Sequence, residues 1–251
     1  MSSKRTRGKT GKDSLVRSDG RSPGAMREVN VQLDYILTCP GSCLIEMGQT
    51  RTLCTASVED RVPPHRRGTG KGWVTAEYSM LPGSGSSRVS RERARAGRSM
   101  EIQRLIGRSM RAVVNMDLLG ERTIYIDCDV LQADGGTRCA AVTGGYLALV
   151  RAVASMMQTG HLDAYPLMGA VAAVSVGMFA GIPILDLDYG EDAGAEVDMN
   201  VVMTDEGRFV EIQGTAEGRP FRKADMNKLL SLAEDGIRQL LEIQSRHLSS
   251  A

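Results

Sequence analysis

Apolar and polar residues alternate along the chain from residue 27 onward. The alternation is clearest over 29–33, 42–47 and 52–58, and a glycine turn at Gly48 separates the last two runs. Alternation with a period of two is typical of half-buried strands, and short glycine turns join antiparallel neighbours. The pattern therefore predicts an antiparallel meander, with another strand over 73–81.

Helical spacing first occurs over 99–115, where apolar residues recur every three or four positions. The remaining runs predict a strand over 123–132, a helix over 140–157, strands over 171–178, 184–189, 197–204 and 208–215, and a helix over 223–246. Strands followed by a helix, twice over, predict an α+β fold of two similar halves packed into one body.

Charge is unevenly distributed although the net charge is only +1. Residues 1–28 and 82–111 are strongly basic, whereas 185–211 is acidic. This asymmetry indicates a polyanionic partner, with a metal ion at the acidic end. Residues 1–16 have few apolar side chains and are expected to form a basic, disordered arm, which leaves 17–248 as the folded domain.

The five cysteines and the apolar segments indicate the cellular compartment of the protein. The cysteines have no zinc-type spacing and most lie in apolar runs, so we expect reduced core thiols and a cytoplasmic protein. The basic N-terminus has no apolar core of a secretory signal. Residues 164–185 are uncharged, but their glycines and prolines favour two buried strands over a membrane span.

The run Gly135-Gly136-Thr137-Arg138 lies between a predicted strand and a predicted helix. Free N–H groups at a helix N-terminus attract anions, glycines allow close approach to the backbone, and arginine adds a forked bond to phosphate. The turn therefore predicts a phosphate site. The alternative is an ordinary connection that is capped by Asp134 or Thr137 and leaves Arg138 in solvent.

A second basic residue, Arg98, precedes the helix predicted from 99, and an acidic stretch contains Asp192 and Asp198. Two arginines and a ring of amides can hold phosphate, while two carboxylates can hold Mg²⁺. Together they fit phosphate attacking a phosphodiester. The alternative is that Asp192 caps a turn and Asp198 ends a solvated strand.

Several longer stretches carry a resemblance to a known family. Residues 72–82 (GWVTAEYSMLP), 97–106 (GRSMEIQRLI), 127–138 (DCDVLQADGGTR) and 198–203 (DMNVVM), with 19–21 and 210–218, resemble the bacterial ribonuclease PH family. The similarity runs from about residue 17 to about residue 242 without large gaps.

This resemblance implies a phosphate-dependent 3′ to 5′ exoribonuclease that trims tRNA precursors and other RNA 3′ ends and releases nucleoside diphosphates. It implies the ribosomal-protein-S5-domain-2-like fold and a homohexamer built as a trimer of dimers. Arg98, Gly136, Thr137 and Arg138 match the family's phosphate-binding residues. Asp192 and Asp198 match its catalytic acidic pair, which implies that they hold Mg²⁺.

Arg88 and Arg91 match family arginines that guide the tRNA acceptor end, whereas Gly83 stands where the family has a third arginine. The alternative for this loop is a solvated, arginine-rich segment. Two other functions stay open on the sequence. One is a non-catalytic, RNA-binding ring subunit of an exosome-like assembly, and the other is a hydrolytic nuclease that uses two metal ions.

Overall fold

The structure is a computed structural model that describes residues 17–91 and 97–249. The predicted arm over 1–16 lies outside the described residues. Within them, the strands are β1 Val29–Leu33, β2 Gly41–Met47, β3 Thr50–Glu59, β4 Trp73–Met80, β5 Thr123–Gln132, β6 Val171–Phe179, β7 Ile182–Leu185, β8 Val197–Thr204 and β9 Phe209–Ala216. The α-helices are α1 Gly97–Arg111, α2 Met116–Leu119, α3 Thr137–Gln158, α4 Tyr189–Gly194 and α5 Lys223–Ser249.

Two sheets form the body of the fold. The first has the strand order β1-β2-β3-β5-β4, and the second has the order β7-β6-β8-β9. All neighbours are antiparallel except β4 and β5, which are parallel and joined through α1. The predicted meander and α+β class are confirmed. The first half differs from a simple strands-then-helix unit because α1 is a crossover between two of its strands.

The helix α3 lies between the two sheets and is buried along most of its length. It is long and apolar enough to span a membrane by length and composition alone, but its apolar residues are core residues. Two glycines allow α3 to pack closely against the first sheet. A Cβ on Gly144 would lie 2.6 Å from Ile45 Cγ2, and one on Gly145 would lie 3.1 Å from Ile126 Cγ2. The glycines therefore seat α3 on the first sheet.

Cysteines of the first sheet and α3 lie in this core. Cys43, Cys54, Cys128 and Cys139 are buried and all five thiols are free, as the sequence predicts. Burial raises the pKa of Cys43 to about 12. The uncharged residues 164–185 contribute β6 and β7, which confirms that this segment forms two strands.

Several element boundaries differ from the predictions. The helix expected from 140 begins at Thr137, and the helix expected over 99–115 is Gly97–Arg111. The strand expected over 184–189 ends at Leu185, because Asp186 takes a left-handed φ of 54° and turns the chain into α4. The acidic turn is therefore a short helix.

Carboxylates crowd the outer face of the first sheet, where Glu77 of β4 lies opposite Asp127 of β5. Burial raises the pKa of Asp127 to about 6, and the charges of Glu77 and Asp129 add smaller contributions. Burial also raises the pKa of Asp129, with a smaller contribution from the charge of Glu77. The folded state thus binds the Asp127 proton more tightly than the unfolded chain does.

Asp127→Asn is expected to stabilise the protein by about 1 kcal/mol near pH 7, because it removes the cost of an ionised, half-buried carboxylate. The raised pKa makes the free energy of unfolding fall as pH rises from about 4 to about 6, so the gain should vanish below about pH 4. Urea denaturation of both proteins across this range measures the difference. The exposed Asp163→Asn is the control, and an Asp127→Asn variant that is less stable near neutral pH would contradict the assignment.

Candidate active site

A cavity of about 560 Å³ opens at the N-terminus of α3. Its walls are formed by residues from both halves of the chain, namely Met80, Gly85, Ser86, Ser87, Val89, Arg98, Ser99, Ala133, Asp134, Gly135, Gly136, Thr137, Arg138, Ser175, Tyr189, Asp192, Asp198 and Asn200. All the residues predicted to bind phosphate or metal are among them. The structure therefore brings these predicted residues together around one space.

The glycine turn lines this cavity. Gly135 and Gly136 have φ values of 73° and 65°, and a Cβ on Gly135 would lie 2.4 Å from the Leu187 carbonyl oxygen. Gly136 is the N-cap of α3, and no described side chain caps that helix. The alternative of a cap from Asp134 or Thr137 is therefore wrong. The first-turn N–H groups are oriented for an anion.

Thr137 is held by a buried tyrosine that the sequence analysis missed. The Tyr78 hydroxyl donates to Thr137 Oγ1 over 2.9 Å. Burial raises the pKa of Tyr78, whereas this hydrogen bond and the charges of Arg98 and Arg138 act to lower it. The charges of Arg98 and Arg138 therefore both act on a group at the N-terminus of α3.

The two arginines reach the cavity from different helices. Arg98 lies in the first turn of α1 and is exposed, so it belongs to the helix and does not precede it. The Arg138 side chain is only 15% exposed, which rules out the alternative of a solvated arginine. Arg138 also donates to Gln213 and Glu101, two residues that the sequence analysis did not single out.

The acidic pair lies on α4 and β8. Asp188 is the N-cap of α4 and forms a capping box with Glu191, so Asp192 is not the cap of that turn. Asp198 is the second residue of β8 and is half-buried between β6 and β9. Burial raises the pKa of Asp198 to about 6, and the charge of Asp192 contributes to the rise. The charges of Arg138 and Arg98 act in the opposite direction. The two carboxylates therefore interact electrostatically in a partly buried place.

This donor set fits Mg²⁺. Mg²⁺ prefers oxygen ligands and is usually bound by one or two carboxylates, with water and substrate phosphate completing its shell. In the part of the chain that the structure describes, no group of three or more His, Cys, Asp or Glu side chains could hold a metal ion. Asp192 and Asp198 alone therefore leave room for such outside ligands, and a cation would relieve their repulsion.

Buried ion pairs support the turn and α4 from behind. Arg17 donates from Nε and Nη2 to the Glu191 carboxylate at 2.6 and 2.5 Å. Arg27 donates from Nε and Nη2 to Asp186 at 2.9 and 2.6 Å, and from Nη1 to the Asp134 carbonyl oxygen. These bonds tie the N-terminal segment to the second half of the chain. No local pattern indicates them, because the partners are far apart in sequence.

The predicted RNA-guiding arginines lie outside this cavity. Arg88 and Arg91 are exposed on the loop after β4, and neither lines the cavity wall. The same loop contributes Gly85, Ser86, Ser87 and Val89 to the wall. Residues 92–96, which continue the arginine-rich stretch, lie outside the described residues. A role for Arg88 and Arg91 in guiding RNA stays a prediction.

Other polar residues of the wall were also missed. Asn200 Nδ2 donates to Asp198 Oδ2 at 3.4 Å. A sequence signal for Asn200 existed, because residues two apart on a strand share a face. Ser175 accepts from the Leu187 N–H and lies on β6, where no local signal marks it.

Three solved structures are similar to this chain. One is described as an Archaeoglobus fulgidus exosome with RNA bound to the active site, with a TM-score of 0.79 and 19% identity over 90% of this chain and 91% of that chain. The second, rice (Oryza sativa) Rrp46, has a TM-score of 0.74 and 15% identity over 92% of this chain and 100% of that one. The third, an archaeal exosome core, has a TM-score of 0.75 and 18% identity over 91% of each chain. At these identities the likeness shows a shared fold.

Family models match most of the chain. The model described as 3′ exoribonuclease family, domain 1, matches residues 25–154. The model for domain 2 of that family matches residues 169–236. The first match covers the first sheet, α1 and most of α3, and the second covers the second sheet and the first half of α5. The chain has the ribonuclease PH fold and belongs to the 3′ exoribonuclease family.

Proposed function

We propose that this protein is a phosphorolytic 3′ to 5′ exoribonuclease, a tRNA nucleotidyltransferase that trims tRNA precursors. One observation carries the proposal. A single cavity combines an uncapped helix N-terminus and two arginines with a pair of interacting carboxylates. Such a site can bind a free phosphate on one side and the scissile phosphodiester beside a metal ion on the other.

The reaction assigns a task to each group. An oxygen of inorganic phosphate attacks the terminal phosphorus, a new P–O bond forms, and the bond to the 3′ oxygen of the penultimate nucleotide breaks. The products are a nucleoside diphosphate and an RNA that is one residue shorter. The α3 N–H groups, Thr137, Arg98 and Arg138 hold the attacking phosphate and stabilise negative charge on the transferring group.

Asp192 and Asp198 supply the carboxylates for Mg²⁺. When bound, this ion screens the charge that develops on the leaving 3′ oxygen. Asn200 supports Asp198 by its hydrogen bond. Displacement by phosphate requires phosphate-binding groups and carboxylates in one cavity, and this cavity contains both.

Hydrolysis with two metal ions receives less support from this geometry. A hydrolase uses water as its nucleophile and needs no second anion site, yet this cavity devotes a helix N-terminus and two arginines to one. A two-metal hydrolase holds its two ions about 3.5–4 Å apart, so it needs ligands for both. In the described part of the chain, no group of three or more His, Cys, Asp or Glu side chains could hold a metal ion.

The finer parts of the proposal rest on the resemblance of the stretches quoted above. They are the preference for tRNA precursors, the guidance of RNA by Arg88 and Arg91, and the homohexameric ring. The cytoplasmic location rests instead on the pattern of cysteines. The exosome structures similar to this chain, one with RNA at its active site, are in keeping with RNA as substrate. Free, buried thiols are in keeping with a reducing compartment.

The test is to incubate the purified protein with a tRNA that carries a 3′ extension and Mg²⁺, with and without inorganic phosphate. We expect nucleoside diphosphates, released only when phosphate is present. Chromatography of the released nucleotides measures this directly. Monophosphates released without phosphate would show a hydrolase. Binding of RNA with no release in either condition would instead show a non-catalytic ring subunit.

A further inference from the structure

Three polar side chains from three elements meet beside the cavity. Arg138 Nη1, at the start of α3, donates to Gln213 Oε1 of β9 over 2.5 Å and to Glu101 Oε1 of α1 over 3.3 Å. Gln213 Nε2 in turn donates to Glu101 Oε1 over 2.5 Å. The three form a closed set of hydrogen bonds, hereafter the Arg138 triad. The amide orientation of Gln213 follows from its partners, because its oxygen must face the guanidinium and its nitrogen the carboxylate.

The triad restricts how Arg138 can present itself. A guanidinium is planar and has two edges that can hold an anion with paired N–H bonds, one formed by Nη1 and Nη2 and the other by Nε and Nη2. Nη1 is committed to Gln213 and Glu101. Among the described residues, no hydrogen bond is found from Nε or Nη2 of this arginine. The Nε–Nη2 edge is therefore the one left for an anion in the cavity that Arg138 lines.

Charge is also divided within the triad. Glu101 is 48% exposed and shares one carboxylate oxygen between Arg138 and Gln213. Its shorter bond is to the neutral amide and its longer one is to the guanidinium. Glu101 thus makes its shorter bond to Gln213 and keeps only the longer contact with Arg138, so Arg138 is oriented without a short ion pair. A direct, short pair with Glu101 would compete with a phosphate for the same cation.

We propose that Gln213 and Glu101 are positioning residues that fix the Nε–Nη2 edge of Arg138 toward inorganic phosphate, with Gln213 as the orienting contact. The inference rests on the proposed function only in taking phosphate as the ligand of Arg138. Neither residue touches the reacting atoms. Their contribution is to remove rotational freedom that the long arginine side chain otherwise loses on binding the anion.

The chain offers a matched control for this triad. Arg108 of α1 and Glu211 of β9 also form an ion pair, two residues away from Gln213 on the same strand. Glu211→Gln therefore loosens the same contact between α1 and β9 without altering the hydrogen bonds of Arg138. Any effect that Gln213→Ala has and Glu211→Gln lacks belongs to the triad and not to packing of the two elements.

The experiment measures binding of inorganic phosphate by calorimetry and the KM values for phosphate and RNA by steady-state kinetics. Gln213→Ala is expected to weaken phosphate binding by about 5- to 30-fold and to raise the phosphate KM in step, with the RNA KM unchanged. Glu101→Gln retains an acceptor for Gln213 and removes a negative charge. It is therefore expected to bind phosphate at least as tightly as the parent protein.

A double-mutant cycle with Arg138→Ala tests whether Gln213 acts through Arg138. Gln213→Ala should add less than about twofold to the loss that Arg138→Ala causes alone. Full additivity, parental affinity in Gln213→Ala, or an equal effect of Glu211→Gln would each overturn the inference. Because calorimetry needs no turnover, a protein that binds phosphate through this triad but releases no diphosphates would refute the proposed function and leave the inference intact.

Discussion

Asp198→Asn is expected to lower kcat for phosphate-dependent RNA shortening by about 10²- to 10⁴-fold, the range typical of losing a group that assists bond cleavage. Asparagine keeps the shape of the side chain and the contact with Asn200, but it removes the negative charge that would hold Mg²⁺ beside Asp192. The KM for phosphate should change much less, because the anion is held by α3 and the arginines. Initial rates at saturating phosphate, with Mg²⁺ varied, separate these quantities.

The control for this variant is Asp205→Asn. Asp205 directly follows β8 and is exposed, so it lies at the end of the strand that carries Asp198 but outside the cavity. It should retain parental kcat. Binding of RNA in the presence of a chelator should be preserved in both variants, which shows that the fold is intact. A kcat for Asp198→Asn within threefold of the parent would refute a catalytic role for this carboxylate.

Arg27→Ala is expected to destabilise the protein by about 3–5 kcal/mol, the usual cost of leaving one member of a buried ion pair without its partner. Asp186 is 1% exposed and accepts from the backbone N–H of Arg27 as well as from Nε and Nη2. Arg21, with its Nη1 3.5 Å away, replaces only part of this interaction. Urea denaturation measures the loss as a lower midpoint with an unchanged slope.

Two companion variants interpret that loss. Arg208→Ala removes an exposed pair with Glu206 and should cost no more than about 1 kcal/mol. Asp186→Asn in the Arg27→Ala background removes the unpaired charge and should recover part of the stability. Asparagine also tolerates the left-handed backbone of that position. If Arg27→Ala costs no more than Arg208→Ala, the buried network does not hold the two halves together.

The sequence predicts most of the fold because its signals are local. The meander and the strands of the second sheet follow from alternation, and α3 follows from an apolar run flanked by glycines. Helix α4 was missed because six residues are too few for a helical period to register. Its capping box, Asp188 with Glu191, was the available signal.

The residues of the candidate site also fall into two groups, those that local sequence predicts and those that only the structure reveals. The glycine turn with Thr137 and Arg138 is contiguous, so its chemistry can be read locally, and Asp192 and Asp198 form a short acidic cluster. Their meeting with Arg98 around one cavity depends on how the two sheets pack about α3, which no spacing encodes. The supporting contacts of Arg138 and Arg27 link residues far apart in the chain, and only the structure reveals them.

The glycine pair in the middle of α3 has a consequence for reading mutational scans. Gly144 and Gly145 do not line the cavity, yet a methyl group at Gly144 would collide with Ile45 and lift the helix from the first sheet. Since the same rigid helix carries Gly136 and Arg138 at its tip, a displacement at its middle is transmitted to the anion-binding turn. In a selection for activity, substitutions at these two core positions would therefore be tolerated as poorly as substitutions of the cavity residues. The loss of activity would then reflect the alignment of the helix and not contact with substrate.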